Sequence, residues 1–187
     1  MTVGARQPWP PNLVHLLRAT ALDRRDQRAY TFLGATADEA AHLTYGELDL
    51  EARAVAARLQ AQQLAGQRAL LLYPPGLDFV AAFLGCLYAG VTAVPAYPPR
   101  SGRTLPRLLA IVEDAQPAVA LTTTDLLPKL QALASQLPAL AAIGLLATDQ
   151  RDAAFAGAWS DPEPSHETLA FLQYTSGSTA APKGVMV

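Results

Sequence analysis

A single cysteine, three histidines and no excess of positive charge remove several classes of function at once. One cysteine rules out an intrachain disulfide framework and suits a reducing, cytoplasmic setting. Cys86 sits among apolar neighbours, where an inert buried thiol is the expectation rather than a nucleophile. His15, His42 and His166 are scattered without ligand spacing, so no metal site on the protein itself is expected. The net charge of −2 offers no broad basic face for nucleic acid. Met1 to Pro11 is polar and proline-rich, without the apolar segment of a secretory leader.

Long hydrophobic runs are also scarce. Phe79 to Pro99 carries no charged residue, but Gly90 and Pro95 interrupt it. The helix-like part, Leu77 to Gly90, is too short to span a bilayer, so a buried helix running into a buried strand is expected. With 51% hydrophobic and 16% charged residues over 187 positions, the chain can form one compact core.

Period and punctuation predict alternating helices and strands. Asn12 to Leu22 reads as a helix and Ala29 to Leu33 as a strand. Thr44 and Glu47 form a capping box ahead of a helix whose one face is Leu48, Ala52, Val55 and Leu59, with Gly66 as its stop. Ala69 to Tyr73 is a short, wholly apolar strand of the kind buried on both faces of a parallel sheet. A helix from Leu77 to Gly90 and a strand from Thr92 to Tyr97 follow.

Leu105, Leu108, Leu109 and Val112 mark another helix, and Ala118 to Leu121 another strand. Leu126, Leu130, Leu133 and Leu137 mark a helix ended by Pro138, before a strand at Ile143 to Ala147. Thr148 to His166 is polar and proline-bearing and reads as a long surface connection. The expected fold class is α/β, a mainly parallel sheet with flanking helices. Asp23 to Asp26 reads as a solvated connection, and Arg100, Arg103 and Arg107 as solvated residues at a helix start rather than a carrier-docking patch.

The chemistry concentrates in Leu172 to Val187, LQYTSGSTAAPKGVMV. A strand-like run from Leu169 to Tyr174 opens into Thr175, Ser176, Gly177, Ser178 and Thr179, then reaches Pro182-Lys183-Gly184 and a second apolar run. Glycine admits close backbone approach to an anion, hydroxyls add donors, and a lysine adds charge. A Walker A loop is excluded: Pro182 stands where its second glycine would be, and Gly184 where its hydroxyl would hold Mg²⁺. Composition alone fits a flexible surface loop equally well. The order of the residues favours a strand–loop–strand phosphate clamp.

That order resembles the signature phosphate motif of adenylate-forming enzymes, with Ala180 where most members carry glycine. Tyr73-Pro74-Pro75-Gly76 and Val94-Pro95-Ala96-Tyr97-Pro98-Pro99 resemble the fatty acyl-AMP ligase branch. Leu43 to Asp49, LTYGELD, is similar to a block of the wider superfamily.

The resemblance implies ATP-dependent activation of a fatty acid to acyl-AMP, with Mg²⁺ arriving with the nucleotide. The acyl group would then pass to the phosphopantetheine of an acyl carrier protein in a polyketide or peptide pathway. Thr175, Ser176, Gly177, Ser178, Thr179, Lys183 and Gly184 would bind the ATP phosphates, and Tyr174 would anchor the strand end. It further implies that residues 1–187 are the N-terminal part of an adenylation domain, whose catalytic residues and mobile C-terminal domain lie beyond Val187. The chain alone is therefore expected to be inactive. The alternatives are a fragment of an acyl-CoA synthetase and a non-catalytic, truncated binding module.

Overall fold

Asn12 starts the described architecture by accepting the His15 backbone N–H at 2.9 Å, the N-cap of α1 (Leu13–Asp23). The structure is a computed structural model that describes residues 10, 12–34, 40–99, 104–150, 153–175 and 182–187. β1 (Arg28–Phe32) and β2 (Ala41–Thr44) pair antiparallel. β2 runs straight into α2 (Tyr45–Ala61), and both hydrogen bonds of the Thr44–Glu47 capping box are present. Leu48, Ala52, Val55 and Leu59 are all buried, as their spacing predicts. The helix stops earlier than Gly66: its C-cap is Gln62, Gln63 takes the left-handed conformation, and Gly66 turns the chain once more into the next strand.

Four parallel strands follow: β3 (Arg68–Leu72), β4 (Thr92–Ala96), β5 (Val119–Thr122) and β6 (Gly144–Ala147), in spatial order β4-β3-β5-β6. β3 lies inside the sheet, which explains its uninterrupted apolar run. Side-chain alternation divides the core in two. Ala69, Leu71, Ala93, Val119 and Leu121 face α2 and α3 (Leu77–Tyr88). Leu70, Leu72, Val94 and Ala120 face α4 (Leu105–Ala115), α5 (Leu127–Ala134) and α6 (Pro138–Ala141). The connection after β3 therefore covers one face and the connection after β4 the other. The strand order reverses between β3 and β5, and open α/β sheets place their ligands outside the carboxyl ends of their strands. No helix among the described residues is long and apolar enough to cross a membrane.

Two local expectations are corrected. Pro138 does not simply end a helix: α5 stops at Ala134, and Pro138 occupies the first turn of α6, where its missing N–H costs nothing. The stretch after β6 is more than a surface connection. Within it α7 (Ala153–Ala156) buries Ala156, and Trp159 Nε1 donates to the Tyr88 carbonyl at 2.7 Å. Gln60 exchanges two hydrogen bonds with the Ser160 backbone, at 2.7 and 3.1 Å. The stretch is strapped across α2 and α3.

The chain ends in an antiparallel hairpin of β7 (Leu172–Thr175) and β8 (Lys183–Met186). A parallel bridge between Ala93 and Phe171 joins it to the β4 edge of the sheet. Beyond this bridge a crevice lies between the end of β4 and the hairpin.

Candidate functional site

The crevice is a cavity of about 550 Å³. Tyr73 and Pro95 to Tyr97 line it from the strand ends, Phe79 and Phe83 from α3, and Leu108 and Ile111 from α4. Phe171, Gln173 and Tyr174 close it on the hairpin side. One wall is a run of ring contacts, Tyr73 to Phe79 at 6.5 Å, Phe79 to Phe83 at 6.2 Å and Phe83 to Phe171 at 5.4 Å between centroids. Arg107, exposed, stands at the rim; Arg100 and Arg103 lie outside the described residues. The cavity was not visible in the sequence, because its lining comes from five elements, β3, α3, β4, α4 and β7, or their ends, brought together by the sheet. The paired Tyr-Pro-Pro blocks were its only linear trace.

Tyr73 is buried and held in place by hydrogen bonds around it. Its hydroxyl bonds Thr148, and Thr122 Oγ1 donates to the Leu72 carbonyl at 2.8 Å. Burial holds the Tyr73 phenol well above its ordinary range, so it stays protonated. Cys86 is fully buried and its thiol is pushed up to about 12 by the loss of solvent. It takes no part in the cavity.

The hairpin carries the residues expected to hold phosphate. Thr175 and Lys183 are the register partners nearest the connection between the two strands, and Tyr174 and Gly184 are the next pair. Lys183 and Thr175 are exposed. Ser176, Gly177, Ser178 and Thr179 lie outside the described residues. The strand–loop–strand reading holds for the two arms. Tyr174 also anchors the strand end, as expected: its hydroxyl donates to Asp114 Oδ2 of α4 at 2.5 Å. Gly184 has a steric reason to be glycine, since a Cβ there would fall 3.0 Å from Tyr174 Cζ.

The donor set of 172–187 has hydroxyls, backbone N–H groups and one lysine, and no Asp, Glu, His or Cys. That chemistry fits an anion.

Residues 17–187 match the AMP-binding enzyme family. The chain belongs to that family. Among curated relatives it is 46% identical over 185 residues to the medium-chain-fatty-acid–acyl-carrier-protein ligase JamA of Moorena producens, covering 97% of this chain and 31% of that protein. It is 35% identical, with 97% and 29% coverage, to the long-chain-fatty-acid–AMP ligase FadD32 of Mycobacterium marinum. Among solved structures, the fatty acyl-adenylate ligase of L. pneumophila in complex with acyl adenylate and pyrophosphate superposes with a TM-score of 0.85 at 38% identity. That match covers 96% of this chain and 30% of the other. The chain thus spans about 31% of the length of the first of these relatives of the AMP-binding enzyme family.

Proposed function

We propose that this chain is the N-terminal part of a fatty acyl-AMP ligase. The ligase activates a fatty acid with ATP and passes the acyl group to an acyl carrier protein of a polyketide or nonribosomal peptide pathway, in the cytoplasm. The observation that carries the reading is the hairpin: it stands Thr175 and Lys183 opposite each other beside an apolar crevice at the carboxyl ends of β3 and β4.

In this reading Thr175, Ser176, Ser178 and Thr179 donate to the β- and γ-phosphates, Gly177 and Gly184 allow the backbone to approach, and Lys183 supplies positive charge. A carboxylate oxygen of the fatty acid attacks the α-phosphorus, the bond to the β-phosphate oxygen breaks, and pyrophosphate leaves. The clamp acts on that leaving group, where negative charge grows in the transition state. Mg²⁺ neutralises phosphate charge when bound. The carrier's phosphopantetheine thiol then attacks the acyl carbonyl and displaces AMP, forming a thioester. The aromatic and aliphatic lining of the crevice supports an apolar acid as substrate.

The test has two arms. The 187-residue chain should bind MgATP and form no acyl adenylate from fatty acid and ATP, because it holds only part of a site. A longer protein bearing this chain should release pyrophosphate only with fatty acid and acylate a holo carrier protein in preference to coenzyme A. Acyl-AMP made by the chain alone, or equal acylation of coenzyme A, would overturn the corresponding half of the proposal.

A further inference from the structure

Tyr174 touches three things at once. Its ring lies across the hairpin against Gly184, so closely that a Cβ there would meet Cζ at 3.0 Å, the hydroxyl oxygen at 3.1 Å and Cε1 at 3.3 Å. Its hydroxyl reaches Asp114 Oδ2 at 2.5 Å. Its flank lines the cavity beside Arg107, Leu108 and Ile111 of the same helix that carries Asp114.

Asp114 is electrostatically out of place if it serves only α4. It sits in the last turn, where the partial negative charge of the helix end disfavours a carboxylate. The side chain that uses it is Tyr174. Arg68, whose Nη1 donates to the Ala115 carbonyl at 2.8 Å, brings a compensating positive charge to the same corner. Partial burial, reinforced by the bond to Asp114, pushes the Tyr174 phenol up to about 12, so the hydroxyl remains a donor at neutral pH.

We infer that Tyr174 is a positioning residue for phosphate binding: held by Asp114 and packed on Gly184, it fixes where the adjacent pair Thr175 and Lys183 stands relative to the crevice. This rests on the proposed role of Thr175 and Lys183 as phosphate ligands. Tyr174 itself need not touch the nucleotide. Its effect reaches the phosphates through the backbone of β7 and β8, one residue pair away.

The experiment is titration of the 187-residue chain with MgATP, with AMP and with inorganic pyrophosphate, for wild type, Tyr174→Phe, Asp114→Ala and the double variant. Loss of a hydrogen bond to a charged acceptor corresponds to roughly tenfold in affinity. Each single variant should therefore weaken MgATP and pyrophosphate binding about tenfold and leave AMP within about twofold. The double variant should be no worse than either single one, because both remove the same bond. A purely structural role would lower thermal stability and weaken all three ligands together.

Asp114→Ala alters an exposed residue on α4 and removes the acceptor, so it keeps the test open if Tyr174→Phe folds poorly. Unchanged MgATP affinity in both variants, beside a wild type that binds and a Lys183→Ala that does not, would overturn the inference alone. A wild type that binds neither MgATP nor pyrophosphate would overturn the phosphate-clamp reading and the inference with it.

Discussion

Tyr88 donates its hydroxyl to Asp49 Oδ1 at 3.0 Å, in the packed seam between α2 and α3. The same carboxylate takes two hydrogen bonds from Arg18 Nη1, at 3.2 and 3.0 Å, and one from Arg53 Nε at 3.0 Å. Arg18 also lies 5.0 Å over the Trp159 ring, and Arg53 donates to the Ala156 carbonyl at 3.2 Å. One buried acid therefore ties α1, α2, α3 and the strap together. Asp49→Ala leaves two largely covered guanidinium groups without their carboxylate and one tyrosine hydroxyl without its acceptor. The expected loss is about 3 kcal/mol, the low end for a broken buried pair because Arg18 retains some solvent. Urea unfolding of the purified chain reads it, and Asp49→Asn should cost less.

The same seam depends on a missing side chain. A Cβ at Gly85 would lie 2.6 Å from both Val55 Cβ and Cγ1, and 3.1 Å from the Ala52 carbonyl oxygen. Alanine is the better helix former by about 1 kcal/mol. Overpacking wins here, since Val55 is β-branched and Ala52 presents backbone, neither able to step aside. Gly85→Ala should destabilise by about 2 kcal/mol. Val55→Ala in the same chain should recover part of that, and a double-mutant cycle measures how much.

How much of this was readable beforehand follows from the range of each interaction. The helix face Leu48, Ala52, Val55 and Leu59 and the buried run of β3 obey local periods, and the structure reproduces them. The capping box is likewise a contact within four residues. Asp49 was invisible because its partners Arg18 and Tyr88 are 31 and 39 positions away. The strap was misread because Trp159 meets Tyr88 across 71 positions, which polarity and proline content cannot report. Pairing of β1 with β2 was missed for a different reason. Three of the four β2 residues, Ala41, His42 and Thr44, are exposed or half-exposed, which leaves almost no apolar run. The residues proposed to hold phosphate were singled out by composition and order. The cavity beside them was not.

The capping box makes a small, clean forecast. Thr44→Ala removes the acceptor that Glu47 N–H uses at 3.2 Å, while Thr44→Ser keeps it. The alanine variant should lose about 1 kcal/mol in urea unfolding and the serine variant only a few tenths. Equal losses would mean that the threonine methyl, not the hydroxyl, is what the site needs.

Alkaline pH should weaken the fold in a set order. Burial raises the Cys86 thiol from an ordinary 9.0 to about 12. It also holds the Tyr73 and Tyr88 phenols well above their ordinary 10.0, with the Asp49 charge adding to the effect at Tyr88. For each group the folded state keeps a proton that the unfolded state has lost. The stability tied to it is complete below the unfolded pKa and is lost as pH rises toward the folded one. Cys86 acts first, because its unfolded pKa is the lowest. Between pH 9 and 10 Cys86 lowers unfolding free energy by up to about 1.4 kcal/mol per pH unit. Urea unfolding at pH 8, 9 and 10 should thus show a decline that Cys86→Ala removes, leaving the tyrosine-driven decline to begin above pH 10. The native thiol should resist a disulfide reagent at pH 8 until urea unfolds the chain. Rapid labelling without urea, or the same pH slope in Cys86→Ala, would show that the thiol is open to solvent.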